Sequence, residues 1–222
     1  MAELGTPLIL PLGDTGLLVR FAATLSDAAN SAAIGFARQL RRRLPAGVVE
    51  IDPNLVSVLL KYDPTRVRFD QLAGEVRLLL SRPADANPGG EAVASYTVSV
   101  RFGGDGGPDL KGVATTLGMT PEAFVAAHNA APLRVLTTGF APGFVYCGFH
   151  DDALKLPRRS DVRPPVPPGS VLFAAGQTAI TSTPIPTGWH VIGLTDFRNF
   201  DPAADPPTRL REGDQIVFEA AP

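Results

Sequence analysis

Arg82-Pro83-Ala84-Asp85-Ala86-Asn87-Pro88-Gly89-Gly90 divides the 222-residue chain. Its prolines fix φ and remove amide donors, and its glycine pair leaves the backbone unconstrained, so neither a helix nor a strand propagates through it. It has no apolar periodicity and hence no face to bury. The sequence differs in texture on either side, which gives two domains, residues 1–88 and 91–222.

Upstream of the divide the pattern is that of a small α/β unit. Ile9 to Leu12, a Gly13-Asp14-Thr15-Gly16 turn and Leu17 to Phe21 read as strand, turn, strand. Ser26 is placed to cap a helix, with Asp27 in its first turn. Ile34, Ala37, Leu40 and Leu44 recur at helical spacing until Pro45-Ala46-Gly47 ends the run. Val48 to Ile51 and Val56 to Tyr62 form a second strand pair that Asp63-Pro64 breaks. Phe69, Leu72, Val76, Leu79 and Leu80 mark a second amphipathic helix. Hairpin, helix, hairpin, helix indicates a ferredoxin-like α/β sandwich.

Downstream, Tyr96 to Phe102 alternates as a strand and a Gly103-to-Pro108 loop follows. Leu110, Val113, Ala114 and Leu117 share a helix face, and Gly118 stops that helix. Thr120 then caps a second helix, with Pro121 at its first position, running to about His128. Short strands are expected near 133–138, 170–175, 178–183, 189–194 and 215–219. Their Pro- and Gly-rich connections argue for a β-barrel, so the fold class is α+β.

Composition sets outer limits. Hydrophobic residues are 45%, charged residues 19% and the net charge is −2, which suits a packed core and gives no basic surface for nucleic acid or anionic membrane. Arg41-Arg42-Arg43 reads as a cationic helix end. The single cysteine, Cys147, cannot pair within the chain, and a reducing cytoplasm is the expected compartment. No apolar run approaches a membrane span, and the first residues lack a signal-peptide pattern. The three histidines, 128, 150 and 190, have no metal-ligand spacing, so no metal is expected.

Four segments are candidates for chemistry. Gly139-Phe140-Ala141-Pro142-Gly143-Phe144-Val145-Tyr146 combines a constrained path with clustered aromatics. It reads equally as a pocket wall, presenting Phe140, Pro142, Gly143 and Tyr146 to a ligand, or as a plug at a barrel end. Arg158 and Arg159, and the proline-flanked Arg163, could clamp a carboxylate or phosphate, or form a solvated loop. Gln177 and Thr178 follow Gly176 and offer an amide and a hydroxyl to a polar substrate, although a plain turn explains them too. His128 is the candidate acid or base, with a structural role at its helix end as the other reading. The Gly188-Trp189 pair reads as barrel core.

These motifs occur together and in order: Gly139 to Tyr146, Pro157-Arg158-Arg159, Val166-Pro167-Pro168-Gly169-Ser170-Val171, Gly176-Gln177-Thr178, Gly188-Trp189 and Ile192-Gly193, with Gly107-Pro108-Asp109-Leu110 and His128 upstream. The run resembles the family of allophanate hydrolase subunit 1, which is also that of the B-type subunit of 5-oxoprolinase. That family includes a sporulation kinase inhibitor and half of the carboxyltransferase domain of urea carboxylase. The resemblance implies a ferredoxin-like first domain and a cyclophilin-like barrel. It implies a homologous second subunit completing the active site, a third subunit, and ATP-dependent opening of 5-oxoproline to glutamate. ATP would be consumed by the complex, with no cofactor held by this chain alone. A biotin-linked carboxyltransferase of the urea carboxylase type and a non-catalytic inhibitor of a histidine kinase are the alternatives it brings. The sequence departs from the family pattern at Cys147, Phe149, Thr187 and Leu194.

Overall fold

A computed structural model describes residues 4–81 and 93–221. The stretch 82–90, read as the divide, lies outside the described residues. The chain forms two compact units, 1–92 and 93–222.

The first unit contains β1 (Leu8–Leu12), β2 (Gly16–Arg20), α1 (Asp27–Arg42), β3 (Val48–Pro53), β4 (Ser57–Tyr62) and α2 (Phe69–Leu80). Its antiparallel sheet has the order β1-β2-β4-β3. Strands β2 and β3 both pair antiparallel with β4, so they run parallel to each other with α1 connecting them and β4 between. That is the split βαβ of a ferredoxin-like sandwich, begun one strand early. Alternation turns Leu17, Val19, Val58 and Leu60 onto one sheet face, against Ala33, Ala37 and Leu40 of α1 and Leu72 and Val76 of α2. Ser26 caps α1 by accepting the Ala29 amide. Leu44, counted with the helix face from its spacing, lies beyond the end of α1 and is 57% exposed.

The second unit contains β5 (Ser95–Phe102), α3 (Leu110–Thr116), α4 (Pro121–His128), β6 (Leu133–Thr138), β7 (Val145–Gly148), β8 (Arg163–Val166), β9 (Ser170–Ala174), β10 (Gln177–Ile180), β11 (Ile185–Thr187), β12 (His190–Leu194) and β13 (Gln215–Ala220). Seven strands close into a barrel in the order β10-β7-β6-β13-β5-β12-β9, with β9 pairing back to β10. Closure leaves the barrel no free edge. Among the described residues only β13 and β5 pair in parallel.

Two cores share the barrel wall. Inside lie Val98, Val135, Val145, Cys147, Val171, Phe173, Ile180, Ile192 and Phe218, plugged by Phe124 of α4 and Val113 of α3. Outside, Phe144, Leu172, Ala174, Ala179, Trp189 and Val191 pack with Val166 of β8 and Ile185 of β11. The period of two explains the division: Phe144 and Tyr146 face out, while Val145 and Cys147 face in. The β8–β11 pair is not legible from the sequence, because Arg163-Pro164-Pro165-Val166 lacks a strand-like run. Its prolines are tolerated because only Val166 and Arg163 pair with β11.

Candidate functional site

The motif segment forms β7 and the loop before it. Gly139 N donates to Phe144 O at 3.0 Å, and Phe144 N donates to Ala141 O at 3.0 Å. Gly143 O accepts from Ser182 Oγ at 3.0 Å and from Asn199 Nδ2 at 3.2 Å. Asn199 is fully buried, and its Oδ1 accepts the amides of Arg209 and Leu210. Gly143 has φ +68°, and a Cβ there would collide with Phe200 Cβ and meet Ser182 Cβ at 2.8 Å. The path therefore requires glycine on both counts. Phe140 also takes a positive φ, +75°, and the residue is 76% exposed.

From Phe140 an aromatic series crosses the outer wall. Ring centroids are 5.5 Å apart for Phe140–Phe144, 4.7 Å for Phe144–Tyr146 and 5.9 Å for Tyr146–Trp189. The exposed Arg158 guanidinium lies 5.5 Å from the Trp189 ring centroid. Burial raises the Tyr146 hydroxyl above its ordinary pKa, against the opposing charge of Arg158. Tyr146 is therefore a neutral hydroxyl beside a cation. Trp189, read from the sequence as core, is buried yet forms the far end of this shelf.

Arg159 differs from the expected open clamp. Its guanidinium is held by Asp109 Oδ1 at 3.0 Å and Asp161 Oδ2 at 2.9 Å, and its amide donates to Gly188 O at 2.8 Å. Arg163 shares the same Asp109 oxygen at 2.5 Å, while Asp109 Oδ2 accepts the Val191 amide at 2.8 Å. The Arg159 Nε and Arg163 Nε atoms are buried without a partner. Hydrogen bonding to Asp161 raises the Arg159 pKa, and the same contact lowers that of Asp161. Arg159 thus ties the 157–163 loop to β12. Of the three arginines, Arg158 is the one with no carboxylate partner among the described residues. Asp109 lies in one of the quoted motifs, but nothing local announces its contacts 50 and 54 residues away.

Gln177 and Thr178 are separated by the pleat. Ala179 packs in the outer core and Ile180 in the inner one, so Gln177 faces outward and Thr178 inward. They cannot jointly hold one small ligand, contrary to what their adjacency suggests. Gln177 Nε2 is buried without a partner. Thr178 Oγ1 lies 2.8 Å from both His128 Nε2 and His150 Nε2. His128 is 1% exposed inside the barrel, across the wall from Tyr146. Its pKa is lowered to about 4 by desolvation, so it is neutral at pH 7 and sealed from the shelf.

A cavity of about 460 Å³ opens beside β8, with Gly106, Pro108, Arg163, Pro165, Val191 and Leu194 among its walls. Arg163 reaches it with a guanidinium already committed to Asp109, and the shelf residues lie elsewhere. Among the described residues no cluster of His, Cys, Asp or Glu converges for a metal ion, and no helix is long and apolar enough to cross a membrane.

A ferredoxin-like unit and a closed seven-strand barrel whose outer face carries a buttressed aromatic shelf make a chain of α+β class. The chain belongs to the family described as carboxyltransferase domain, subdomain C and D, whose model matches residues 7–210. It is 30% identical to the B-type subunit of 5-oxoprolinase from Bacillus subtilis (strain 168), over 93% of this chain and 90% of that protein. It is 29% identical to the Haemophilus influenzae protein of the same name, over 95% and 96%. The solved structure of TTHA0988 is similar at a TM-score of 0.79 and 35% identity, over 93% of this chain. This chain spans only 40% of that longer one. The urea carboxylase of Kluyveromyces lactis matches over 97% of this chain and 22% of its own, at a TM-score of 0.76 but 15% identity, and shows the shared fold alone.

Proposed function

We propose that the chain is one subunit of an ATP-dependent complex that opens 5-oxoproline to glutamate, with a homologous second subunit completing the active site and a third taking part. The observation that carries this reading is the end-to-end correspondence with B-type subunits of 5-oxoprolinase, at about this chain's own length. The TTHA0988 chain supports a partner: its similar module is less than half of a longer polypeptide, so a second segment accompanies the module there.

On this reading Arg158 takes the substrate carboxylate. Its guanidinium is exposed, and the Trp189 face orients it. Tyr146 supplies a neutral hydroxyl next to that anion. Phe140 and Pro142 form the rim, with Gly143 buried behind them and Phe140 projecting where a second subunit would cover it. Gln177 stands on the same outer side. Alone, the chain would offer half a site and no turnover.

Deleting the gene in its own host tests the reading. The deletion strain should accumulate 5-oxoproline and fail to grow on it as nitrogen source, and the gene should restore both while the Arg158→Ala form restores neither. Unchanged 5-oxoproline pools in the deletion strain would reject the proposal.

A further inference from the structure

Inside the barrel, the chain His150–Thr178–His128–Asn129 has no part in the shelf chemistry. His128 Nδ1 lies 2.7 Å from Asn129 Oδ1, and its Nε2 lies 2.8 Å from Thr178 Oγ1. The same hydroxyl lies 2.8 Å from His150 Nε2, and the two imidazole centroids are 4.7 Å apart. The rings of Phe102, Phe124, Phe173 and Phe218 surround His128, and Phe173 also meets His150.

Counting protons along the chain fixes every tautomer. An amide oxygen only accepts, so His128 carries its proton on Nδ1 and donates to Asn129. Its Nε2 is then bare and accepts the Thr178 hydroxyl proton. With that proton committed, Thr178 Oγ1 can only accept from His150, so His150 carries its proton on Nε2. The remaining nitrogen, His150 Nδ1, is bare. Desolvation, the larger cause at each residue, lowers the two pKa values to about 4 for His128 and about 3 for His150, so neither ring is charged at neutral pH.

His150 differs from His128 in access. His128 is sealed, whereas His150 is partly exposed. None of the described residues hydrogen-bonds its Nδ1. A bare imidazole nitrogen accepts but cannot donate, so it repels the oxygen of a carboxylate or carbonyl and attracts a neutral N–H. We propose that His150 Nδ1 is a fixed acceptor for the N–H of an amide-class ligand, a lactam in particular, with Thr178, His128 and Asn129 as the positioning residues that hold its tautomer. The lactam as a ligand class follows the 5-oxoproline reading, at a second position separate from the Arg158 shelf; the wiring of the two histidines does not rest on that reading.

The experiment is long-range ¹H–¹⁵N NMR of the histidine rings in the full chain at pH 7. His150 should be the Nε2–H tautomer and His128 the Nδ1–H tautomer. Thr178→Val should collapse His150 into a mixed population while His128, still held by Asn129, stays the Nδ1–H tautomer, and Thr178→Ser should restore His150. The opposite tautomers, or mixed populations in the unmodified chain, would overturn the wiring. Titration with 2-pyrrolidinone should shift the His150 Nδ1 resonance saturably, and N-methyl-2-pyrrolidinone, which lacks the N–H, should not. Equal shifts, or none with either probe, would overturn the acceptor role. If 2-pyrrolidinone binds as described while the assembled complex leaves 5-oxoproline intact, the proposed function fails and this inference stands.

Discussion

Replacing Asp109 with alanine would remove the one carboxylate that serves Arg159, Arg163 and the Val191 amide together. The Asp109 side chain is 12% exposed, with Arg159 at 22% and Arg163 at 28%. Breaking a fully buried pair by deleting one partner costs about 3–5 kcal/mol, but partial exposure lets water reach the freed guanidiniums, so about 2 kcal/mol is the better figure here. The orphaned Val191 amide adds about 1 kcal/mol. The total of about 3 kcal/mol corresponds to a fall in Tm of about 10 °C for a domain of this size. Asp109→Asn keeps an acceptor for Val191 and should lose about half as much. Trp189 is the only tryptophan and lies in the barrel unit, so urea unfolding followed by its fluorescence reads that unit alone. A loss below about 0.5 kcal/mol, the level of an ordinary surface substitution, would show that Asp109 does not hold these three groups in place.

Gly143→Ala should destabilise the barrel by about 2–4 kcal/mol, from the left-handed φ and from overpacking against Phe200 and Ser182; a Tm within about 2 °C of the parent chain, on the order of 0.5 kcal/mol, would contradict this. Arg158→Ala should leave Tm nearly unchanged yet raise KM for the carboxylate substrate in the assembled complex at least about tenfold, the cost of one charge-assisted hydrogen bond; a lower Tm with unaltered KM would make it a structural residue. Burial pushes the Cys147 thiol pKa far up, so iodoacetamide should modify it only after unfolding, and rapid labelling of the native chain would disprove that packing. His128 and His150 have folded pKa values of about 4 and about 3, below the ordinary 6.5, so the unfolded chain binds the extra protons. Their contribution is complete above pH 6.5 and is lost as pH falls toward 4, by about 1.4 kcal/mol per pH unit for each histidine. Stability that stays flat between about pH 7 and about pH 4.5 would show that the pair is solvated.

Local signals carried most of the architecture. The Ser26 and Thr120 caps, the helix stripes and the alternating barrel strands are all short-range patterns, and the structure realises them. Leu44 continues a periodicity past the point where the backbone leaves the helix. The site was less legible, because barrel closure decides it. Gln177 and Thr178 are neighbours in sequence but stand on opposite faces of one wall. His128 meets Thr178 across 50 residues, and Arg159 meets Asp109 across 50. Nothing in a single sequence tells Arg158 from Arg159, although one lies open on an aromatic face and the other is committed to two carboxylates.

The most direct measurement reconstitutes the purified chain with its homologous second subunit and a third subunit, then follows glutamate and ADP from 5-oxoproline and ATP. Both products should form in equal amounts from the complete mixture, and neither when this chain is left out. Turnover that persists without the chain, or an assembled complex that releases no glutamate, would contradict the proposed function.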